Sequence, residues 1–253
     1  MTTKLKDKAH IKEELFKNGF VNIGQVYSAQ SAQNFEYSLN EYIENLSSID
    51  RPEISFKKSQ VTIYSPHMLE YFAHYAAWPV NDILLSTVQE IFSDRFCLSN
   101  WNASGAPPCS AYESRIHIDS RIPISDPSNS THIVAMVALS PFNEFNGATK
   151  FFKKSHLSGK RPHDCAQEFQ IEQPCMSPGE VTLFLGQTFH DISKNSTNSY
   201  RWGIIGYYTL WWVKPTYDFT VINPKSLSEE EMMIYGHRAV PPHPFDLNKY
   251  TVR

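Results

Sequence analysis

The sequence lacks the features that mark disulfide-rich, zinc-ribbon and membrane-spanning proteins. Its four cysteines show no CxxC spacing and no pattern of pairing, so neither a disulfide framework nor a zinc ribbon is predicted. They are Cys97, Cys109, Cys165 and Cys175. The longest uncharged apolar-rich run, Gly203 to Val213, is shorter than the about 20 residues that a membrane-spanning helix needs. We therefore expect reduced thiols and no membrane partner.

The sequence also lacks an excess of basic residues. Lys and Arg number 23 against 26 Asp and Glu, which gives a formal net charge of −3. The short cluster of Lys150, Lys153 and Lys154 is typical of a solvated face, so we expect no nucleic-acid partner. The charged segment Met1 to Lys8 has no apolar core of the kind found in a secretory signal. These observations predict a cytoplasmic protein.

Length and composition predict one globular domain over residues 1–253. Of these residues, 41% are hydrophobic and 19% are charged, which suits a chain with a substantial core. We expect a helical segment over about residues 1–93, a β-sandwich core over about 95–215, and a C-terminal segment over 216–253 that wraps the surface.

Apolar residues recur at helical spacing in the first third of the chain. The predicted helices cover Ala9–Lys17, a segment from a cap at Ser31 to Leu46, Ser65–Trp78, and Asn81–Ser93. Gly19 is expected to close the first helix, and the order Ser65-Pro66 is typical of a helix start. Short strands are predicted over Phe20–Ile23 and Val61–Tyr64, and the polar stretch Ser47–Ser59 is predicted as a loop.

Short β-rich runs separated by Pro, Gly, Asn and Ser follow from residue 95 onward. They are Arg95–Trp101, Ser110–Asp119, His132–Leu139, Thr149–Phe152, Val181–Phe189 and Arg201–Val213. This punctuation predicts an antiparallel sandwich or jelly roll. Beyond them, Ser228 and Glu231 form a capping box for a short helix that Gly236 ends, and the proline-rich tail begins at Pro241.

His117 and Asp119 stand two residues apart near the end of one predicted strand. Alternate residues of a strand point to the same face, so we expect the imidazole and the carboxylate to share one. A His-x-Asp triplet is common by composition alone. Its position beside Arg121 and the turn-forming Pro123, however, is typical of an open barrel mouth rather than of a packed core.

A second cluster downstream offers a third ligand. The run Val181 to His190 is predicted as a buried strand that ends in a histidine, and Arg201 follows a polar turn. Two histidines and one carboxylate are the ligands of non-haem Fe(II) oxygenases, which keep coordination positions open. A buried guanidinium needs an anion and binds carboxylates through two parallel hydrogen bonds. A dicarboxylate could therefore bridge the iron and Arg201.

Several segments together form a family signature. They are Phe16–Val21, His117–Asp119, Asn146–His156, Gly179–Phe184, His190–Asn195 and Arg201. In this combination the chain resembles the phytanoyl-CoA dioxygenase family of Fe(II)- and 2-oxoglutarate-dependent oxygenases. The resemblance implies a mainly β fold, a double-stranded β-helix of the jelly-roll or cupin type, with flanking helices that lie mostly in the N-terminal part.

The resemblance also implies a set of site residues. Fe(II) would be held by His117, Asp119 and His190, and 2-oxoglutarate by Arg201, with Asn102 and Met136 against the co-substrate. O2 would be the other co-substrate, and the cofactor would supply the chemistry for oxidising an unactivated C–H bond. Hydroxylation is the expected outcome. A carboxylate at position 119 argues against halogenation, because related halogenases have a small residue there.

Three functions remain open from the sequence. The first is an oxygenase for a small-molecule substrate, acting in natural-product biosynthesis; the second is a protein or peptide hydroxylase with the same iron. The third is a non-catalytic β-sandwich binding protein. Arg121 shares strand parity with His117 and Asp119 and is therefore a hypothetical contact for an acidic group of the substrate, with a surface salt bridge as the alternative.

Overall fold

The fold is mainly β, with two antiparallel sheets. The structure, a computed structural model, describes residues 4–46, 52–65, 67–110, 116–223, 225 and 227–238. Within these ranges the strands are β1 Phe20–Gln25, β2 Ile54–Phe56, β3 Val61–Ile63, β4 Phe96–Ala106, β5 His132–Ala138, β6 Thr149–Phe152, β7 Ile171–Glu172, β8 Glu180–Leu185, β9 His190–Ile192 and β10 Arg201–Leu210. The larger sheet has the order β1-β8-β5-β10-β4-β3-β2 and the smaller β7-β6-β9.

Six α-helices accompany the sheets in the described ranges. They are α1 Lys8–Asn18, α2 Ala29–Glu44, α3 His67–Tyr71, α4 Asp82–Phe92, α5 Pro162–Cys165 and α6 Glu229–Ile234. Four of the six precede β4. The arrangement confirms the predicted double-stranded β-helix with mostly N-terminal helices. None of the described helices is both long enough and apolar enough to cross a bilayer.

The two faces of the large sheet serve different cores because side chains alternate along each strand. On β5, Val134 and Met136 point between the two sheets, where they join Phe20, Phe151 and Phe184. The Phe20 and Phe151 rings stack with their centroids 4.5 Å apart. The intervening β5 residues Ile133, Ala135 and Val137 join a larger core that includes the helices. The face between the sheets is the one that carries the candidate site.

The helices begin and end largely where the sequence predicts. Gly19 ends α1 in the left-handed conformation at φ 91°, and its N–H donates to the Leu15 carbonyl oxygen. Asn81 caps α4, with its side-chain oxygen accepting from two backbone N–H groups. The cap predicted at Ser31 is wrong: the Ser28 side chain accepts from the Ser31 N–H, so Ser28 caps α2 and Ser31 lies in the first turn.

The predicted helix over Ser65–Trp78 is interrupted. The helix α3 ends at Tyr71, and two 3-10 turns, Ala73–Tyr75 and Trp78–Val80, follow it; Pro66 lies outside the described residues. The Tyr75 ring stacks on Phe35 of α2 at 3.8 Å, and Trp78 meets Phe35 edge-on. Tertiary packing of these aromatic rings therefore overrides the local helical periodicity.

The front segment also supplies three strands, so it is not purely helical. β1 forms one edge of the large sheet, and the β2–β3 hairpin extends the other. The predicted loop over Ser47–Ser59 is wrong at β2, where Ile54 pairs with Ile63. A strand of three residues is too short to show a periodic pattern. The division of the chain into three parts stays a prediction, and the tail from Pro241 lies outside the described residues.

Two predicted strands near the candidate site differ from the structure. Of Ser110–Asp119, residues 111–115 lie outside the described ranges, and His117 forms an isolated bridge with His190. The predicted strand Val181–Phe189 ends at Leu185. A Cβ at Gly186 would lie 2.6 Å from the His132 Cβ, so only a glycine fits at this position. The chain turns here and enters the smaller sheet at His190. The short helix α6 has the predicted capping box of Ser228 and Glu231.

The contact between α2 and the aromatic turns yields a stability prediction. Phe35→Ala should lower the free energy of unfolding by about 3–5 kcal/mol, because the cavity it leaves is fully buried. Tyr37→Ala on the same helix is the control: Tyr37 is 69% exposed, and its change should stay within about 0.5 kcal/mol. Urea unfolding followed by circular dichroism measures both. Equal small losses would contradict the observed packing.

Candidate functional site

His117, Asp119 and His190 converge between the two sheets. The Nε2 atom of His117 lies 3.6 Å from Asp119 Oδ1, and that of His190 lies 3.5 Å from Asp119 Oδ2. One ligand atom from each residue can be chosen so that all lie within 4.8 Å of one another. Among the described residues, this is the group of His, Cys, Asp and Glu side chains whose geometry could hold a metal ion.

Backbone hydrogen bonds hold the two histidine segments together. The N–H of His117 donates to the His190 carbonyl oxygen, and the N–H of His190 donates back to His117, both at 3.1 Å. Their ring centroids are consequently only 4.1 Å apart. The N–H groups of Asp119 and Ser120 both donate to the Gly186 carbonyl oxygen at 2.8 Å. The turn after β8 thus fixes Asp119 beside the histidine pair.

His190 is held in the form that binds metals. Its Nδ1 lies 3.0 Å from the Thr188 carbonyl oxygen, and since a carbonyl only accepts, Nδ1 must carry the proton. The Nε2 lone pair then faces the Asp119 side of the site, as in metal-ligating histidines generally. Burial lowers the pKa of His190, which favours the neutral imidazole that a metal requires.

The Asp119 carboxylate is buried, and its Oδ2 has no hydrogen-bond partner in the structure. The side chain is only 5% exposed. An isolated buried carboxylate is costly unless a cation or hydrogen-bond donors meet it. Two imidazoles and one carboxylate on the same side of an ion are donors that suit Fe(II) and leave the opposite side open. The three residues therefore fit a metal ion of this class.

Arg201, the first residue of β10, is a buried cation with no acidic partner among the described residues. It is 2% exposed, and one Nη2 hydrogen bond goes to the Gly147 carbonyl oxygen at 2.6 Å. The Phe142 ring lies 4.5 Å from its guanidinium carbon, while Nε has no partner. Burial lowers the pKa of Arg201 to about 10. Such a charge fits an anion that binds bidentately.

Asn102 and Met136 lie on the same face as Arg201. Both stand directly opposite Ile205 in the large sheet, Asn102 on β4 and Met136 on β5, and Ile205 is four residues beyond Arg201 on β10. Opposite residues of antiparallel strands share a face. The Asn102 Oδ1 accepts from the N–H and hydroxyl of Ser65, so its oxygen is occupied and its amide NH2 is the end available for an acceptor.

Two threonines near these residues were missed by the sequence analysis. The Thr149 hydroxyl lies 3.2 Å from Met136 Sδ, and the Thr188 carbonyl oxygen orients His190. Thr149 is the fourth residue of Asn146–Thr149, inside the motif that carries the family resemblance, so the motif offered a signal. The Thr188 role is carried by the backbone, which residue types do not reveal.

Arg121 lies outside this buried group. Its side chain is exposed, and its carbonyl oxygen accepts a hydrogen bond from Arg161 Nη2 at 3.2 Å. The pKa of His132 is lowered, mainly by burial; the charge of Asp119 opposes this shift and the charge of Arg121 adds to it. The Arg121 charge therefore acts near the edge of the site, next to the loop that carries Asp119.

Comparisons with known proteins agree on the fold. A carbocyclase, SnoK, from nogalamycin biosynthesis, described as non-haem and α-ketoglutarate-dependent, matches with a TM-score of 0.68 and 13% identity over 89% of this chain and 95% of its own. The epimerase SnoN in complex with Fe³⁺, α-ketoglutarate and nogalamycin RO matches with a TM-score of 0.66 and 14% identity over 88% and 92%. These likenesses show the fold that the three proteins share.

Sequence comparisons identify the family. The dioxygenase trt7 of Aspergillus terreus is 41% identical over 69 residues, which cover 27% of this chain and 24% of that protein. The match thus spans about a quarter of this relative's length. The model of the family described as phytanoyl-CoA dioxygenase (PhyH) matches residues 15–203, which include the candidate ligands and Arg201. The chain therefore belongs to the phytanoyl-CoA dioxygenase family, as its motifs predict.

Proposed function

We propose that this chain is an Fe(II)- and 2-oxoglutarate-dependent oxygenase that oxidises an unactivated C–H bond of a small metabolite in natural-product biosynthesis. One observation carries the proposal. His117, Asp119 and His190 converge in the interior between the two sheets. Arg201, which is buried without an acidic partner among the described residues, lies in the same interior. A metal ion bound by the three side chains would compensate the buried Asp119 charge, and a carboxylate bound to Arg201 would compensate the buried guanidinium.

The three ligands would hold Fe(II) on one side and leave the other side open. His117 and His190 contribute neutral imidazoles, and Asp119 contributes one negative charge. When bound with 2-oxoglutarate and O2, the iron supplies an oxidant for unactivated C–H bonds. The part of the protein is to place the ligands, bind the co-substrate and exclude water from the buried side of the centre.

Arg201 would bind the remote carboxylate of 2-oxoglutarate. Its Nη2–H to the Gly147 carbonyl oxygen fixes the plane of the guanidinium, and the unpartnered Nε–H is free to donate to a carboxylate oxygen. Asn102 and Met136 stand further along the same face, where the body of the co-substrate would lie. The Asn102 NH2 would donate to it, and Met136 would supply an apolar wall.

The reaction outcome has more than one candidate. Hydroxylation is the simplest use of the proposed centre. Two structural neighbours are an epimerase and a carbocyclase, so the same fold serves reactions other than hydroxylation. The biosynthetic setting is supported by these neighbours, and the substrate class is therefore best sought among small metabolites. Product analysis by mass spectrometry separates a gain of one oxygen from an isomer or the loss of two hydrogens.

Iron binding is the first test of the proposal. Under anaerobic conditions the protein should bind one Fe(II), and with O2 it should convert 2-oxoglutarate to succinate slowly without a prime substrate. His190→Ala should weaken Fe(II) binding by more than the roughly 10–100-fold typical of outer-shell substitutions. His163→Ala, at a side chain that is 74% exposed, is the control and should bind iron normally. Absence of both iron binding and turnover in the wild-type protein would favour a non-catalytic binding protein.

The role of Arg201 can be separated from a role in folding. Arg201→Met should raise the KM for 2-oxoglutarate about 10–100-fold, since it removes charge-assisted hydrogen bonds worth about 1.5–3 kcal/mol. Its free energy of unfolding should be maintained or raised, because an unpaired buried charge is replaced by an apolar side chain. Fe(II) affinity should not change. Arg238→Met at the exposed ion pair with Glu229 is the control, and equal KM values in the two variants would exclude Arg201 as the clamp.

Arg121 is proposed as a contact for an acidic group of the substrate. In a screen of small metabolites and peptides, compounds that stimulate succinate formation identify the substrate class. If the best compound carries a carboxylate, Arg121→Ala should raise its apparent KM by up to about 5-fold, as expected for one exposed charge pair worth up to about 1 kcal/mol. The apparent KM for a neutral ester of the same compound should be equal in the wild-type protein and in Arg121→Ala. An unchanged apparent affinity for the acid rejects Arg121 as a contact.

A further inference from the structure

The C-terminal end of α1 is bonded to a segment that follows β6. The last carbonyl groups of an α-helix have no partner within the helix and need donors from elsewhere. The Phe16 carbonyl oxygen accepts from His156 Nε2 at 2.8 Å, and the Asn18 carbonyl oxygen accepts from the Lys154 N–H at 3.0 Å. The helix end is therefore held by hydrogen bonds from a distant part of the chain.

Gly19, which ends α1, is bonded to the segment that leads to His190. Its carbonyl oxygen accepts from the Leu185 N–H at 3.0 Å and from the Thr188 hydroxyl at 2.8 Å. A Cβ at Gly19 would lie 2.6 Å from His156 Nδ1 and 2.8 Å from Thr188 Oγ1. Only a glycine therefore lets the end of α1 approach this segment so closely.

Ser155 holds the next residue of the same segment. Its hydroxyl oxygen accepts from the Phe189 N–H at 2.9 Å, and both residues are buried. Thr188 and Phe189 directly precede His190 in the chain. Each of the two residues before this candidate ligand is thus fixed by a hydrogen bond to a side-chain hydroxyl.

These hydrogen bonds explain two segments of the family signature that contain no candidate ligand. Phe16–Val21 includes Gly19, and Asn146–His156 includes Ser155. Neither segment supplies a side chain to the candidate metal site, yet both bind the residues that precede His190. The two segments therefore contact the site through the backbone of one ligand.

The Thr188 residue connects these contacts to the His190 ring. Its hydroxyl donates to Gly19, and its carbonyl oxygen accepts from His190 Nδ1 at 3.0 Å. Thr188 is fully buried, so water does not replace either partner. If the Thr188 carbonyl group rotated away, Nδ1–H would lose its acceptor. The proton could then move to Nε2 and occupy the lone pair that a metal needs.

Another buried threonine shows what a purely structural hydroxyl does in this fold. The Thr87 hydroxyl donates to the Ile83 carbonyl oxygen at 2.7 Å, one turn earlier in α4. Thr188 differs in two respects. Its hydroxyl bonds to a residue 169 positions away, and its own carbonyl oxygen is the acceptor for a candidate metal ligand.

We propose that Thr188 is a positioning residue for His190. Its hydroxyl, anchored on the Gly19 carbonyl oxygen at the end of α1, holds the Thr188 carbonyl group so that His190 keeps its proton on Nδ1 and presents Nε2 to the metal site. This role rests on the proposed function and adds to the iron site a side chain that does not touch the metal.

The test compares three substitutions. Thr188→Val removes the hydroxyl at nearly constant shape, Thr188→Ser keeps it, and Thr87→Val is the control for loss of a buried threonine hydroxyl. Nuclear magnetic resonance of the metal-free proteins with ¹⁵N-labelled histidine identifies the ring nitrogen of His190 that carries the proton. The signal is assigned by its loss in His190→Ala. Anaerobic titration gives the Fe(II) affinities, and thermal unfolding gives the stabilities.

In the wild-type protein and in Thr188→Ser, His190 should carry its proton on Nδ1. Thr188→Val should show a mixture of the two ring tautomers and should bind Fe(II) about 10–100-fold more weakly, the usual effect of removing an outer-shell partner. Thr87→Val should lower the unfolding temperature by about 2–4 °C, since it loses one buried hydrogen bond. It should leave the His190 tautomer and the Fe(II) affinity unchanged.

A wild-type tautomer in Thr188→Val would overturn the positioning role while the iron site stands. A mixture of tautomers in Thr188→Ser would also overturn it, as would equal losses of Fe(II) affinity in Thr188→Val and Thr87→Val. If the wild-type protein binds no Fe(II), the proposed function fails. The tautomer comparison, which needs no metal, then decides by itself whether Thr188 orients His190.

Discussion

The reciprocal backbone hydrogen bonds between His117 and His190 are the constraint on which the site depends. These residues are far apart in sequence, and their backbones meet directly. The bridge joins the loop before β5 to the first residue of β9, and the Gly186 carbonyl oxygen ties Asp119 to the same place. Because backbone hydrogen bonds fix the three segments, the three side chains are directed to one point. A site prepared in this way loses little conformational entropy when it binds a metal.

The interior between the sheets carries a cost that its function explains. Asp119 Oδ2 and Arg201 Nε are buried without hydrogen-bond partners, and each would be unfavourable in an ordinary core. The two groups have opposite charge, yet no ion pair between them is present in the described structure. The fold keeps the anionic Asp119 beside the two histidines and the cationic Arg201 beside the Gly147 carbonyl oxygen. A molecule with a metal-chelating end and a remote carboxylate is complementary to this separation of charge.

Much of this arrangement could be predicted from the sequence because its signals are local. The two-residue spacing of His117 and Asp119, the glycine that ends α1, and the capping box of Ser228 and Glu231 each depend on neighbouring residues. What could not be predicted depends on distant contacts. The stacking of Phe35 on Tyr75 interrupts an expected helix, and pairing with Ile63 turns an expected loop at Ile54 into a strand.

The two histidines differ sharply in their exposure to solvent. The side chain of His117 is 48% exposed, whereas that of His190 is 8% exposed. The centre is therefore asymmetric, with a solvent-exposed side at His117 and a buried side at His190. Solvent reaches the centre at His117, whereas the His190 ring lies against the rings of Phe151 and Phe184. A metal ion at this centre would enter and leave on the exposed side at His117, and His190 would be the last ligand to dissociate from it.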